Sequence, residues 1–240
     1  MTPEKLTEKL LKAAPDRIKA VVLYGSAAAG DHAGRKSDYN ILVITDGLSA
    51  DLLKSFSSVA RQWAKAGNPP PLLFTEEQLG RSADVFPIEL LDIRECHRVL
   101  TGSDLISTLE FSTENLRLEI EHELRGKLIQ LRQRYLLTAD RPKETVQLMT
   151  ESLSTFLVLF RAALRLFETQ VPQPKLEALE ELTRHIPFDT DVFETVAQIK
   201  AGELKPGRIN AEVTFKKYLT AIETVVYAVD QFIHPEENAS

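Results

Sequence analysis

Two short stretches of this chain carry residue types suited to holding phosphate and a hard metal ion. They are Leu23-Tyr24-Gly25-Ser26-Ala27-Ala28-Ala29-Gly30 and, eight residues later, Asp38-Tyr39-Asn40-Ile41-Leu42-Val43-Ile44. The first reads as a strand ending in a Gly-Ser turn that leads into a short helix, and the second as a strand with a carboxylate at its start. Gly25 lets the backbone come close to a phosphate, Ser26 adds a hydroxyl and a helix N-terminus, and Asp38 offers oxygen to a divalent ion. Residues 38 and 40 stand two apart on a strand, so their side chains share a face while Tyr39 turns the other way into the core. Nucleotide chemistry is the first expectation.

These residues resemble the nucleotidyltransferases of the DNA polymerase beta superfamily, in the branch that includes the kanamycin and other aminoglycoside nucleotidyltransferases. That pattern is a hydrophobic strand, Gly-Ser, a spacer, and Asp-x-Asp on the next strand; here the spacer ends in Ser37-Asp38-Tyr39-Asn40. The resemblance covers roughly the first hundred residues, and two positions depart from it. Asn40 stands where the second aspartate would be, and Ala27 replaces a basic residue that often follows Gly-Ser. The resemblance implies that Gly25 and Ser26 hold the phosphates, and Lys36 and Ser37, just before Asp38, are further nucleotide-binding candidates. It also implies that Asp38, Asn40 and Glu89 form the catalytic and metal-binding set. The cofactor implied is Mg2+ in a two-metal arrangement, with one site weakened because a carboxamide brings no negative charge. The donor would be a nucleoside triphosphate such as ATP, and the acceptor a hydroxyl on an unidentified molecule, a small cationic one being the better fit to an acidic chain.

The third carboxylate is sought in Phe86-Pro87-Ile88-Glu89-Leu90-Leu91-Asp92-Ile93, read as a strand that offers Glu89 and Asp92 on opposite faces. Glu89, with apolar neighbours on both sides, is preferred, and Asp92 is left as a strand terminator. Arg35 and Lys36, in the loop before Asp38, serve equally well as phosphate contacts or as solvated loop charge, and His32 is an exposed loop residue. Arg94, Glu95, His97 and Arg98 are expected to position the second half of the chain, and Cys96 to be a small packing residue. Arg117 and His122 match the Arg-x4-6-His spacing of HEPN ribonucleases. Glu119, Glu121 and Glu123 surround them with acid, so a solvated helix face is the better account. Glu119 and Glu123, one turn apart, suit a cationic acceptor or a general base only weakly.

The elements that must position these residues follow from hydrophobic spacing. Pro3 to Ala14 reads as a helix, Ile18 to Tyr24 and Tyr39 to Thr45 as strands, and Leu48 to Ala66 as a helix stopped by Gly67-Asn68-Pro69-Pro70-Pro71. Leu72 to Phe74 is a short strand, and Thr75 begins a capped helical turn. From about Ser112 apolar residues recur at three and four, giving helices over Leu116 to Leu137, Thr145 to Phe167, Leu176 to His185, Val192 to Lys200 and Ala211 to Ile233. The fold class expected is α+β. A nucleotidyltransferase-like mixed sheet over residues 1–108 precedes an all-α bundle of four or five helices over 109–234, with a frayed tail at 235–240 and the active cleft between the halves.

A net charge of −6 argues against nonspecific binding to nucleic acid. The lone Cys96 excludes an intrachain disulfide, which points to a reducing cytoplasm. The N-terminus lacks a signal-peptide pattern, and the most apolar segment, Phe156 to Phe167, is interrupted by Arg161 and Arg165, so no membrane association is expected. The apolar faces of Thr145 to Phe167 and Ala211 to Ile233 leave room for a homodimer. Asn40 and Ala27 keep a second reading open, a nucleotide sensor or interaction module that has lost catalysis.

Overall fold

The computed structural model describes residues 1–28 and 38–232 and divides into two units, Met1–Ser112 and Thr113–Ser240. In the first unit, helix α1 (Pro3–Ala13) starts on the Thr2 cap with Pro3 in its first turn, where the missing N–H costs nothing. Strands β1 (Ile18–Tyr24) and β2 (Asn40–Thr45) pair antiparallel, with Leu23 opposite Ile41 and Tyr24 opposite Asn40. Helix α2 (Ala50–Lys65) leads to β3 (Leu72–Thr75), which pairs parallel with β2. Helices α3 (Glu76–Ser82) and α4 (Pro87–Glu95) follow, and β4 (His97–Gly102) returns antiparallel beside β1. The sheet order is β3-β2-β1-β4, so the two most apolar strands are central.

Both faces of β1 and β2 are covered, which is why these strands read as unbroken apolar runs rather than alternating ones. Val21, Leu23, Ile41 and Val43 meet Leu6, Leu10, Leu52, Phe56 and Trp63 from α1 and α2. Ala20, Val22, Leu42 and Ile44 meet Leu79, Leu90, Ile93, Ile106 and Leu109 on the other face. Thr75 and Gln78 form a reciprocal capping box at α3, as the sequence predicts.

One element differs from its expectation. Phe86 to Ile93 is not a strand: Pro87 to Glu95 is the helix α4. Pro87 sits at its N-terminus, Glu89 lies in the first turn and Arg94 in the last, so the charges complement the helix dipole. Its buried residues, Pro87, Ile88, Leu90, Leu91 and Ile93, fit a helical face as readily as a strand, and an apolar run this short does not distinguish the two by pattern. The strand of this region is β4, just downstream.

The second unit is helical: α5 (Thr113–Thr138), α6 (Pro142–Leu164), α7 (Lys175–Leu182), α8 (Asp191–Ala201), a 3-10 turn at Pro206–Arg208, and α9 (Ala211–Asp230). Helix α6 packs against α5, α7, α8 and α9, so it is apolar on most of its circumference. Its Phe156 and Phe160 anchor an aromatic cluster with Phe188, Phe193 and Tyr218. Together the units make the mixed-sheet α+β architecture expected from the sequence. The tail expected at 235–240 lies outside the described residues. Among the described residues no helix is long and apolar enough to cross a membrane.

Candidate nucleotide and metal site

The register of the sheet places Tyr24, Asn40 and His97 in one cross-strand row, because Tyr24 pairs with Asn40 on one side and with His97 on the other. Directly paired antiparallel residues project to the same face, here the face covered by α3 and α4. Tyr24 is half-buried there, and desolvation holds its phenol above its ordinary pKa of 10.0, so it stays a neutral hydroxyl.

Beyond Tyr24 the chain turns sharply. Gly25 has φ +77°, a conformation that side chains disfavour, and a Cβ built on it would meet Nδ2 of Asn40 at 3.3 Å. The turn is tied on both sides. Gly25 N–H donates to the Cys96 carbonyl at 2.9 Å, while the Gly25 carbonyl accepts from Ala28 N–H at 2.8 Å and from the Cys96 thiol at 3.3 Å. Cys96, partly buried and expected only to pack, therefore fixes the turn. Ser26 is exposed at its outer edge, and Ala27 is buried against the α1–α2 core.

Asp38 is exposed just before β2, and it makes no hydrogen bond or ion pair with the described residues. Its neighbour Tyr39 faces the opposite core, its ring 6.0 Å from that of Trp63 and its N–H donating to Asn68 Oδ1 at 3.0 Å. Trp63 in turn donates to the Pro69 carbonyl at 2.9 Å, so the Gly-Asn-Pro stretch after α2 positions the start of β2. With Tyr39 so anchored, residues 38 and 40 project away from it.

Glu89, expected on a strand beside these residues, instead lies exposed on α4, in the first turn. Cys96, which touches Gly25, directly follows that helix; Glu89 is about 10 Å of helix rise away from it and Asp92 about 6 Å. Being three apart on a helix, the two acids are neighbours and not on opposite faces. Lys36 and Ser37, with Arg35 and His32, lie outside the described residues.

Sequence reasoning missed β4 and with it the place of His97 beside Tyr24. The signal was present in Val99 and Thr101, β-branched residues alternating up to Gly102, but the charged start of the strand concealed it. His97 contacts the Arg94 carbonyl through Nδ1 at 3.0 Å and Asp104 through Nε2 at 3.2 Å. Asp104 also accepts from Ile106 N–H, Ser107 N–H and the Ser107 hydroxyl; the Ser107 hydroxyl first, then the Ser107 N–H and His97, hold its carboxyl below the usual range. Arg94 donates to the Leu109 carbonyl and stacks on Phe111, and Arg98 pairs with Glu4, so all three find partners inside the first unit.

In the helical unit, Arg117 is bound to Glu121, which also holds Arg125, and Arg125 reaches Asp230. The arginine of the ribonuclease-like spacing is thereby neutralised, and His122 points to solvent. Glu123 faces Lys127 at 3.9 Å, an exposed pair.

No protein-family model and no curated protein sequence matches this chain. Among solved structures it is similar to spectinomycin adenyltransferase AAD(9) from Enterococcus faecialis, crystallised with ATP and spectinomycin. The TM-score is 0.53 over 95% of this chain and 98% of that one, at 14% sequence identity. The chain has the nucleotidyltransferase fold. A toxin-antitoxin structure with AMP-PNP matches 53% of this chain and 95% of its own, at 18% identity and a TM-score of 0.32, too slight a likeness to add to this.

On a nucleotidyltransferase fold the donor set decides what metal fits. Among the described residues no group of three or more His, Cys, Asp or Glu side chains is placed to hold a metal ion. Magnesium keeps much of its water and commonly needs only one or two carboxylates when substrate phosphates complete its shell. Asp38 with the Asn40 carboxamide fits one such ion.

Proposed function

We propose that this protein is a nucleotidyltransferase that passes a nucleoside monophosphate from a magnesium-bound nucleoside triphosphate, ATP, to an acceptor hydroxyl. The observation that carries the reading is the Gly25 turn. A left-handed glycine closes β1 against Asn40, with the exposed Ser26 beside it and the exposed Asp38 two residues before Asn40. The similar adenyltransferase was crystallised with ATP, which supports a nucleotide as the substrate.

In this reading the backbone at Gly25 and the Ser26 hydroxyl hold the triphosphate, with Lys36 and Ser37 completing the phosphate contacts. Asp38 and Asn40 hold the ion, which when bound neutralises charge on the phosphates. The acceptor oxygen forms a bond to the α-phosphorus, the α–β bridging bond breaks, and pyrophosphate leaves. The acceptor proton passes to solvent. Glu89 and Asp92, neighbours on α4, are the two candidates for a third acid.

Asn40 favours a second reading, a nucleotide sensor on the same fold, because a carboxamide contributes no charge where catalysis uses it. One experiment separates the two. The protein is incubated with magnesium, α-labelled triphosphates, aminoglycosides and cell extract, beside Asp38→Ala, Asn40→Asp, Glu89→Gln and Asp92→Asn. Transfer by wild type that Asp38→Ala abolishes supports the transferase. Tight nucleotide binding with no transfer, unimproved by Asn40→Asp, supports the sensor, and no nucleotide binding at all refutes both.

A further inference from the structure

The helical unit leaves apolar side chains in the open on one pair of helices. Among its described residues, every large exposed hydrophobic side chain except Leu176 lies on α5 or α9. Helix α6, which the sequence offered as a dimer face, has that face taken up by α5, α7, α8 and α9. On α5, Leu118, Ile129 and Leu136 are 47%, 53% and 81% exposed, and their spacings of eleven and seven residues, about three and two turns, align them in one stripe. On α9, Val213 and Tyr227 are 53% and 67% exposed and stand about four turns apart. The two helices run antiparallel, tied by Arg125 to Asp230 at 2.7 Å, by Arg132 to Glu223 at 2.8 Å and by the stack of Tyr135 on Phe215 at 3.7 Å. Between the two ion pairs lies a shallow groove of about 290 Å³, with Ile129 on one bank and Tyr227 on the other.

The charges on this groove are ordered. Its basic groups, Arg125 and Arg132, stand seven residues apart on α5, and its acidic groups, Glu223 and Asp230, stand seven apart on α9. Glu121, the acid of α5 that also binds Arg125, is shared with Arg117 and mostly buried. Such a face complements itself. A two-fold axis in the plane of contact and parallel to the helices lays α5 over the α9 of a second copy. Arg125 and Arg132 then meet the partner's Asp230 and Glu223, and Tyr227 covers the partner's Ile129. A guanidinium has donors enough for a carboxylate of its own chain and one of the partner. An axis across the helices would set arginine on arginine and acid on acid, and a nucleic acid or anionic bilayer would be repelled by the acidic row. Helix α9, 20 residues and so about 30 Å long, with α5 beside it makes a face about 20 Å wide, or roughly 600 Å² per copy and 1,200 Å² in all, the lower edge of specific interfaces.

We propose that the outer face of α5 and α9 binds a second copy of this chain, giving an isologous dimer with a four-helix seam centred on Ile129 and Tyr227. An interface of this size dissociates on dilution, with a constant of about micromolar order. It uses no residue of the first unit, so it stands or falls independently of the Gly25 turn.

The test is analytical ultracentrifugation of the full chain from roughly 1 to 100 μM, a range that brackets such a constant. The dimer fraction is expected to rise with concentration. Arg125→Glu with Arg132→Glu, and separately Glu223→Arg with Asp230→Arg, are each expected to weaken the dimer by about ten-fold or more, because each sets like charges face to face. Mixed in equal amounts, the two variants are expected to recover a heterodimer, a rescue that damage to either fold would not give. Tyr227→Asp, at an exposed position, is expected to weaken the dimer by about ten-fold with the urea midpoint unchanged, and Leu53→Asp, exposed on α2, to leave it intact. Monomer throughout the range overturns the proposal. So does a dimer that Tyr227→Asp leaves intact, or folded charge variants that stay monomeric when mixed.

Discussion

Gly25 and Gly67 provide a matched pair of perturbations within the first unit. Both have positive φ, +77° and +91°, so an alanine at either position adopts a left-handed conformation that costs about 1–2 kcal/mol. About 0.4–1 kcal/mol of this is offset because alanine also restricts the unfolded chain, which leaves a net loss of about 1 kcal/mol. The surroundings differ. A Cβ on Gly67 meets nothing within 4 Å, whereas one on Gly25 meets Asn40 Nδ2 at 3.3 Å, and Asn40 must give by a few tenths of an ångström. Gly67→Ala should therefore lower the urea midpoint by this backbone cost alone, and Gly25→Ala by at least as much. Only Gly25→Ala should weaken magnesium-ATP binding, by roughly ten-fold or more, because on the proposed reading it displaces Asn40 from the ion and narrows the phosphate approach. Urea titration with equilibrium dialysis against labelled ATP measures both. Equal loss of ATP binding in the two variants, or wild-type binding by Gly25→Ala, would refute the assignment of this turn.

Gly102 is a harsher position. A Cβ there would lie 1.9 Å from the Lys19 carbonyl oxygen, a backbone atom, so Gly102→Ala should cost roughly 3 kcal/mol or more and show as a large drop in the urea midpoint. Asp104 has a lowered pKa when folded, relative to an ordinary 3.8, so its contribution is present above that value and lost as pH falls through the lower folded one. Asp104→Asn should accordingly destabilise at pH 7 and make little difference near pH 2, read from urea midpoints at both. Tyr218 is buried with its hydroxyl 3.1 Å from Ser152, and desolvation drives its pKa upward, so its ultraviolet ionisation signal should appear only on unfolding. His122→Ala should leave structured RNA as intact as the wild type does, by gel assay, since Arg117 is committed to Glu121.

Much of the fold was legible because local signals and burial agreed. Ile18 to Tyr24 was read at its full length because both faces of β1 are covered and a glycine ends it. The helices of the second unit declared themselves by spacing and by prolines between them. Residues 86–95 are ambiguous because Ile88 and Leu90 alternate with Glu89 as in a strand, while Pro87 and the early acid favour a helix. The same limit applies to the site. Gly25 and Asp38 sit in local motifs and could be named from the sequence, but the row joining Tyr24, Asn40 and His97 exists only through strand pairing across the chain. Cys96, read as mere packing, proves to hold the Gly25 turn for the same reason.

Trp63, fully buried behind Tyr39, is the chain's one tryptophan, and it belongs to the sheet-containing unit. Its fluorescence is therefore a built-in optical reporter of that unit alone, while the long helices of the other dominate the far-ultraviolet dichroism. Melting the intact protein with both signals reads the two units separately without cutting the chain. Coincident curves mean that the halves share one cooperative transition, and separated curves mean that either can be engineered without endangering the other.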